Sequence, residues 1–218
     1  MLKQDLTIKL LQEEAKKFSK LESQHNEASI YGITDGKAIG TYLEHKFQKY
    51  LFENYNYKQG SSAKGIDFPE LMIDMKVTSI KQPQSSCPFK SASQKVFGLG
   101  YSILVFVYEK IDNEKTKTGR LDIKHTIFID KSKTADFQMT KGLKQIIEND
   151  GNEEDIIAFF TDRFLPIDEI TASQIAKQIL DNPLEIGYLT ISNALQWRLQ
   201  YKRVIEKAGT IDGINRVY

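Results

Sequence analysis

Asp67, Asp74 and Lys76 are the residues whose types and spacing point to chemistry. They lie in AKGIDFPELMIDMKVTS, residues 63–79, where charge interrupts an otherwise apolar run. Side chains alternate faces along a strand, so Asp74 and Lys76 share one face while Ile73, Met75 and Val77 share the other. Phe68-Pro69-Glu70 breaks the run, because proline cannot donate to a ladder and punctuates strands. A short hairpin across that break brings the Asp67 carboxylate beside that of Asp74. Two carboxylates against a buried sheet repel each other and are poorly solvated unless a cation neutralises them. Mg2+ suits them, since it takes oxygen ligands and usually binds one or two protein carboxylates together with water and phosphate. Lys76 then stands beside the phosphate, to orient or deprotonate an attacking water or to stabilise developing charge. These are the parts that metal-assisted phosphodiester hydrolysis needs. The plainer alternative is a solvent-facing strand edge with an incidental Asp–Lys pair.

The elements around this stretch must position it. The first 20 residues predict an amphipathic helix with Leu11, Ala15, Phe18 and Leu21 on its apolar stripe. KAIGTYLEHKFQKYLFENY predicts a second helix, with Ile39, Leu43, Phe47 and Leu51 recurring every four residues on one core face. YSILVFVY, residues 101–108, is a continuous apolar run and predicts a central strand buried on both faces. SASQKVFGLG predicts a short helix ending at Gly98 or Gly100, KIDNEKTKTGRLD a polar loop, and HTIFID a further strand. From Lys141 onward the pattern is helical, the last predicted helix being ISNALQWRLQYKRVIEKAG. The fold class is therefore α/β, with a small mixed sheet flanked by helices and a helical C-terminal part. The division expected is a core at 1–140 and a C-terminal part at 141–218, which together can still form one domain.

Composition narrows the function classes. One cysteine, Cys87, excludes an internal disulfide, a thiolate zinc cage and a cysteine-ligated iron–sulfur cluster. No apolar run is long enough to span a membrane, and the charged, periodic N-terminus lacks a signal-peptide core, so a cytoplasmic protein is expected. A net charge of +1 conceals an uneven distribution. Between Asp74 and Glu109 there is no acid, yet Lys76, Lys81, Lys90 and Lys95 fall there, and Arg198, Lys202, Arg203 and Lys207 form a second basic cluster. Two such patches can bind a polyanion on a near-neutral protein.

Asp67, six intervening residues and then Asp74-x-Lys76 resemble the signature of the PD-(D/E)XK nuclease superfamily, which includes type II restriction endonucleases. The helix string Gly36-Lys37-Ala38-Ile39-Gly40-Thr41-Tyr42-Leu43-Glu44 resembles the glutamate-bearing helix beside the site in many of these enzymes. Both strings are especially similar to those of the mismatch-repair nicking endonuclease MutH and Sau3AI-type restriction enzymes. The resemblance covers residues 36–108, about a third of the chain; Ile66 stands where the motif has proline, and Asp74 where glutamate is more frequent. It implies a restriction-endonuclease-like core and a Mg2+-dependent, sequence-specific endodeoxyribonuclease, with Mn2+ able to substitute. Asp67, Asp74 and Glu44 would hold the metal, and all three with Lys76 would form the catalytic set. It further implies a double-stranded DNA substrate, a homodimer that cuts both strands, and a cognate DNA methyltransferase in the same system that is not a physical partner.

Lysine, hydroxyl and amide side chains suit phosphate oxygens and base edges. Lys81, Gln84, Lys90, Ser91, Gln94 and Lys95 are therefore expected DNA contacts, Gln94 and Lys95 lying where related nucleases carry a residue near the scissile phosphate. Asn193, Gln196, Gln200 and Arg203 recur at three- and four-residue spacing and would form a base-reading face on the last predicted helix. With TASQIAKQIL ahead of it, that helix has the outline of a helix-turn-helix. Two rivals follow: a MutH-like strand-nicking endonuclease, and a non-catalytic DNA-binding regulator using the C-terminal helices.

Overall fold

The computed structural model describes residues 3–60, 65–87, 90–182, 184–192 and 197–218. In chain order the elements are β1 (Gln4–Asp5), α1 (Ile8–Glu22), α2 (Gly36–Asn54), β2 (Tyr55–Asn56), β3 (Ile73–Ser79), β4 (Gln84–Ser86), α3 (Gln94–Phe97), β5 (Ser102–Asn113), β6 (Thr118–Ile129), α4 (Phe137–Glu148), α5 (Glu153–Asp162), α6 (Glu169–Asp181), β7 (Thr190–Ile191), β8 (Arg198–Gln200), α7 (Lys202–Lys207) and β9 (Ile214–Arg216). The central sheet has the order β3-β5-β6-β9, with β3 parallel to β5 and the other pairs antiparallel. This is the mixed α/β sheet that the sequence predicts.

The two faces of this sheet bury different partners. Ile73, Met75, Leu104 and Phe106 pack with Leu11, Ala15 and Phe18 of α1 and with Ile39, Leu43, Phe47 and Leu51 of α2. Ile103, Val105, Val107 and Ile127 pack instead with Trp197, Leu199, Tyr201 and Val204. A third cluster joins α3, α4, α5 and α6. Helix α2 begins where Asp35 accepts hydrogen bonds from the Lys37 and Ala38 amides, and it buries all four residues that the four-residue spacing singled out.

Three sequence expectations are corrected. Leu21 is exposed, and Glu22 is buried in its stead, 2.7 Å from Lys46 Nζ and within hydrogen-bond reach of the Tyr42 hydroxyl. KIDNEKTKTGRLD is not a loop: β5 and β6 run through it as a long hairpin, with Lys117 at φ 52° in the turn. Among the described residues the last predicted helix is β7, β8 and the short α7, which do not make a helix-turn-helix. Trp197, Leu199 and Tyr201 are buried while Arg198 and Gln200 are exposed, which is the two-residue period of a strand. β8 pairs with β4 and β7 in a second, antiparallel sheet of order β4-β8-β7. Strands from the C-terminal part therefore complete both sheets.

Candidate active site

Among the described residues β3 is an edge strand: β5 occupies one side, and no strand pairs with the other. Across the Pro69 break, Phe68 and Ile73 exchange backbone hydrogen bonds of 2.9 and 3.2 Å, closing a tight turn in which Met72 takes φ 52°. That turn folds Asp67 back onto the open edge. Asp67 Oδ2 accepts a 2.8 Å hydrogen bond from the Met75 amide, so the carboxylate occupies a ladder position that a further strand would fill. The N–H and C=O of one strand residue leave on the same side, so the Met75 carbonyl also faces this edge.

Asp74 projects from the opposite face to Met75, at the level of Ile103, and is 2% exposed. Lys76, at the level of Val105 on the same face, holds its Nζ 2.7 Å from Asp74 Oδ2. The shared face that the two-residue period predicts is thus an ion pair. The ammonium is the partner of this buried carboxylate oxygen. Burial pushes the Asp74 carboxyl up to about 7; Lys76 opposes the rise and the neighbouring Asp67 carboxylate adds to it. Burial disfavours the charge on Lys76 too, but Asp74, Asp67 and Glu44 outweigh it and hold the ammonium above its usual pKa.

Helix α2 supplies the outer wall. Glu44 is half-buried, and burial together with Asp67 raises its carboxyl to about 7, with Lys76 pulling the other way. One turn on, Gln48 Nε2 donates to Asp67 Oδ1 at 3.3 Å. Gln48 was not singled out from sequence, although its place four residues after Glu44 puts it on the same helix stripe. Behind Asp74 lies a polar floor in which the Tyr201 hydroxyl is 2.6 Å from Ser85 Oγ and Cys87 Sγ is 3.7 Å from the Tyr101 hydroxyl.

The structure therefore brings Asp67, Asp74 and Lys76 together, with Glu44 within electrostatic reach of Asp67 and Lys76. Among the described residues no group of three or more His, Cys, Asp or Glu side chains stands close enough to hold a metal unaided. The donor set still fits a hard divalent cation. The Asp67 carboxylate and the Met75 carbonyl face the open edge, and the buried Asp74 carboxylate lies beside Asp67. Such an ion takes its remaining ligands from water and phosphate.

The other expected contacts are scattered. Lys81, Lys90 and Ser91 are exposed. Gln94 is tied down locally, accepting from the Lys90 amide and donating to the Leu99 carbonyl. Lys95 is 5% exposed, with its ammonium over the Trp197 ring. Arg203 stacks its guanidinium on Phe137, 3.9 Å from the ring centre. Gln84 and Gln200 face each other across β4 and β8. Asn193 and Gln196 lie outside the described residues.

Comparison with known proteins completes the picture. A family model described as type II restriction enzyme NspV matches residues 5–216. The type II restriction enzyme NspV of Nostoc sp. is 62% identical over 213 residues, covering 98% of this chain and 97% of that protein. No solved structure matches the chain significantly. With a family match over nearly its whole length and a relative of that identity, the chain belongs to the NspV family of type II restriction enzymes.

Proposed function

We propose that this chain is a Mg2+-dependent endonuclease that hydrolyses both strands of double-stranded DNA at a specific sequence, through the Asp67–Asp74–Lys76 site and with the PD-(D/E)XK arrangement. The observation that carries this reading is the Asp67 carboxylate on the open edge of β3 beside the buried Asp74, with Lys76 Nζ 2.7 Å from Asp74. A bound Mg2+, or Mn2+ in its place, supplies Lewis-acid activation of water and of the scissile phosphate. Asp67, Asp74 and the Met75 carbonyl would hold that ion, with Glu44 contacting it directly or through water. The Met75 amide and Gln48 fix the direction of the Asp67 carboxylate. Lys76 presents an ammonium to the non-bridging phosphate oxygens, where negative charge grows in the transition state. Its raised pKa favours this electrostatic role over that of a base.

Cutting both strands of a symmetric site calls for two such centres, hence a two-fold homodimer. A cognate methyltransferase would protect host DNA without binding this chain. No helix among the described residues is long and apolar enough to cross a membrane, and the cytoplasm, where the DNA lies, is the proposed location. Purified protein with Mg2+ is expected to convert unmethylated supercoiled plasmid to linear fragments with uniform ends, and to do nothing in EDTA. Open circles as the final product would point to single-strand nicking, and intact plasmid across many sequences would sink the nuclease reading.

Gly60 offers a second test of the same geometry. Its amide donates 2.8 Å to the Asp67 carbonyl, and a Cβ there would stand 1.7 Å from the Ile66 carbonyl oxygen. Gly60→Ala must therefore shift the backbone that carries Asp67. Cleavage is expected to fall about 100-fold, as displacements of about 1 Å do, with a smaller loss in apparent Mg2+ affinity. Unchanged cleavage would show that Asp67 need not be held where it is.

A further inference from the structure

Two acid-free segments, distant in sequence, meet in the second sheet. Residues 75–108 contain Lys76, Lys81, Lys90 and Lys95 but no Asp or Glu, and residues 186–205 contain Arg198, Lys202 and Arg203 but no Asp or Glu. β4 comes from the first segment and β8 from the second, in the register Gln84↔Gln200, Ser85↔Leu199 and Ser86↔Arg198. Ser85 and Leu199 face inward, the former through its 2.6 Å contact with the Tyr201 hydroxyl and the latter fully buried. Strand alternation then places Gln84, Ser86, Arg198 and Gln200 together on the outer face. Ser86, Arg198 and Gln200 are exposed and Gln84 is half-exposed.

We propose that the β4–β8 ribbon enters the major groove and reads base edges, with Arg198, Gln84 and Gln200 as specificity-determining residues. The proposal rests on the nuclease reading above and adds to it the element that selects the sequence. A two-stranded ribbon fits the major groove, about 12 Å wide. Arginine there pairs bidentately with guanine O6 and N7, and glutamine with adenine N6 and N7. The two outward rungs, Gln84–Gln200 and Ser86–Arg198, are about 7 Å apart along the strands, roughly two base-pair steps. Lys81, in the turn before β4, and Lys202, just after β8, are exposed cations placed for flanking phosphates.

The ribbon is also bolted to the catalytic strand. Thr78 Oγ1 accepts from the Gln84 amide at 3.0 Å and donates to the Gln84 carbonyl at 2.9 Å. The Tyr201 amide donates to the Pro83 carbonyl at 2.8 Å. Thr78 follows Lys76 by two residues on the same face of β3, so the reading element is tied to the strand about 7 Å along the backbone from the residue that carries the catalytic ammonium. Docking the ribbon therefore sets the position of Lys76 and Asp74 against the backbone.

The test reads base preference in two ways. Duplexes with a randomised central region are digested by wild type and by Arg198→Ala, Arg198→Lys and Gln84→Ala/Gln200→Ala proteins, and the cut ends are sequenced. The same substitutions in a Lys76→Ala background are used to select bound, uncut duplexes. Both Arg198 variants are expected to lose about 10-fold or more of the preference for one G·C pair and its symmetry mate, since lysine keeps the charge but not the bidentate fork. The glutamine pair variant is expected to relax an A·T position instead. Base preferences unchanged in variants that cut or bind more weakly would overturn the proposal, as would a changed oligomeric state with selectivity intact. If wild type cuts nothing yet the bound pool shows an Arg198-dependent guanine, the nuclease reading falls and the ribbon stands.

Discussion

Lys76→Ala is expected to cleave DNA about 1000-fold more slowly than wild type, the scale of loss when one preorganised charge donor is removed, while binding DNA within a few-fold of wild type. The side chain is only 19% exposed and lies 2.7 Å from Asp74, so its removal acts on two things at once. The phosphate loses an ammonium where charge develops, which slows chemistry. The site also loses its only close cation among the described residues, which strengthens the field of Asp67, Asp74 and Glu44. Divalent-cation affinity is therefore expected to stay level or rise, even as turnover collapses. Burying carboxylates without a partner is costly, so the metal-free variant should melt below wild type at pH 8 and recover when Mg2+ is added. Titration by calorimetry and single-turnover cleavage at saturating Mg2+ separate the two effects. If metal binding and cleavage fell together, Lys76 would be a structural counter-ion and not a catalytic one. Its pKa is raised in the folded protein, so its charge and the stability it lends are complete below about 10.5 and are lost only above that. No alkaline limb from Lys76 is expected between pH 7 and 9.

β3 was legible because a two-residue period has one consequence: residues 74 and 76 must share a face, and they meet at 2.7 Å. α2 was equally legible, because Ile39, Leu43, Phe47 and Leu51 repeat at helical spacing and all four are buried. The return of Asp67 was legible through Pro69, though what holds it, the Met75 amide and Gln48, is a backbone donor and a side chain from another element. The C-terminal part was misread through competition between periods. Ala194, Trp197, Tyr201, Val204 or Ile205, and Ala208 recur at three and four residues and suit a helix, while Trp-Arg-Leu-Gln-Tyr alternates and suits a strand. The shorter signal won because β4 offers β8 a partner and the face of β5 and β6 offers Leu199 and Tyr201 a core. Such tertiary reasons are invisible to local spacing. Lys95 was taken for a surface contact for the same cause: only the folded chain lays Trp197 against it.

Asp74→Asn is expected to abolish cleavage and to raise the stability of the metal-free protein, two effects of opposite sign from one carboxylate. In the fold the Asp74 carboxyl titrates at about 7, against 3.8 in its unperturbed state, chiefly because it is buried. The native state thus keeps a proton that the unfolded chain releases once the pH passes about 4. Stability falls as pH climbs from that point through about 7, and the cost is constant above it. Asparagine removes this titration. At pH 8 the variant is expected to gain stability on the order of 2 kcal/mol, the attraction to Lys76 being already contained in the raised carboxyl pKa. For a chain of this size that is about 4–8 °C in Tm. At pH 4 the advantage should vanish. Mg2+ reverses the order at neutral pH, stabilising wild type by mass action and leaving the variant unmoved, since one of its two carboxylate ligands is gone. Thermal melts at pH 4 and 8, with and without Mg2+, contain the whole test. A variant that melts lower than wild type at pH 8 without metal would mean that Asp74 is satisfied in the empty site. A higher melting point would show that the fold tolerates a frustrated carboxylate because the site is completed by a cation.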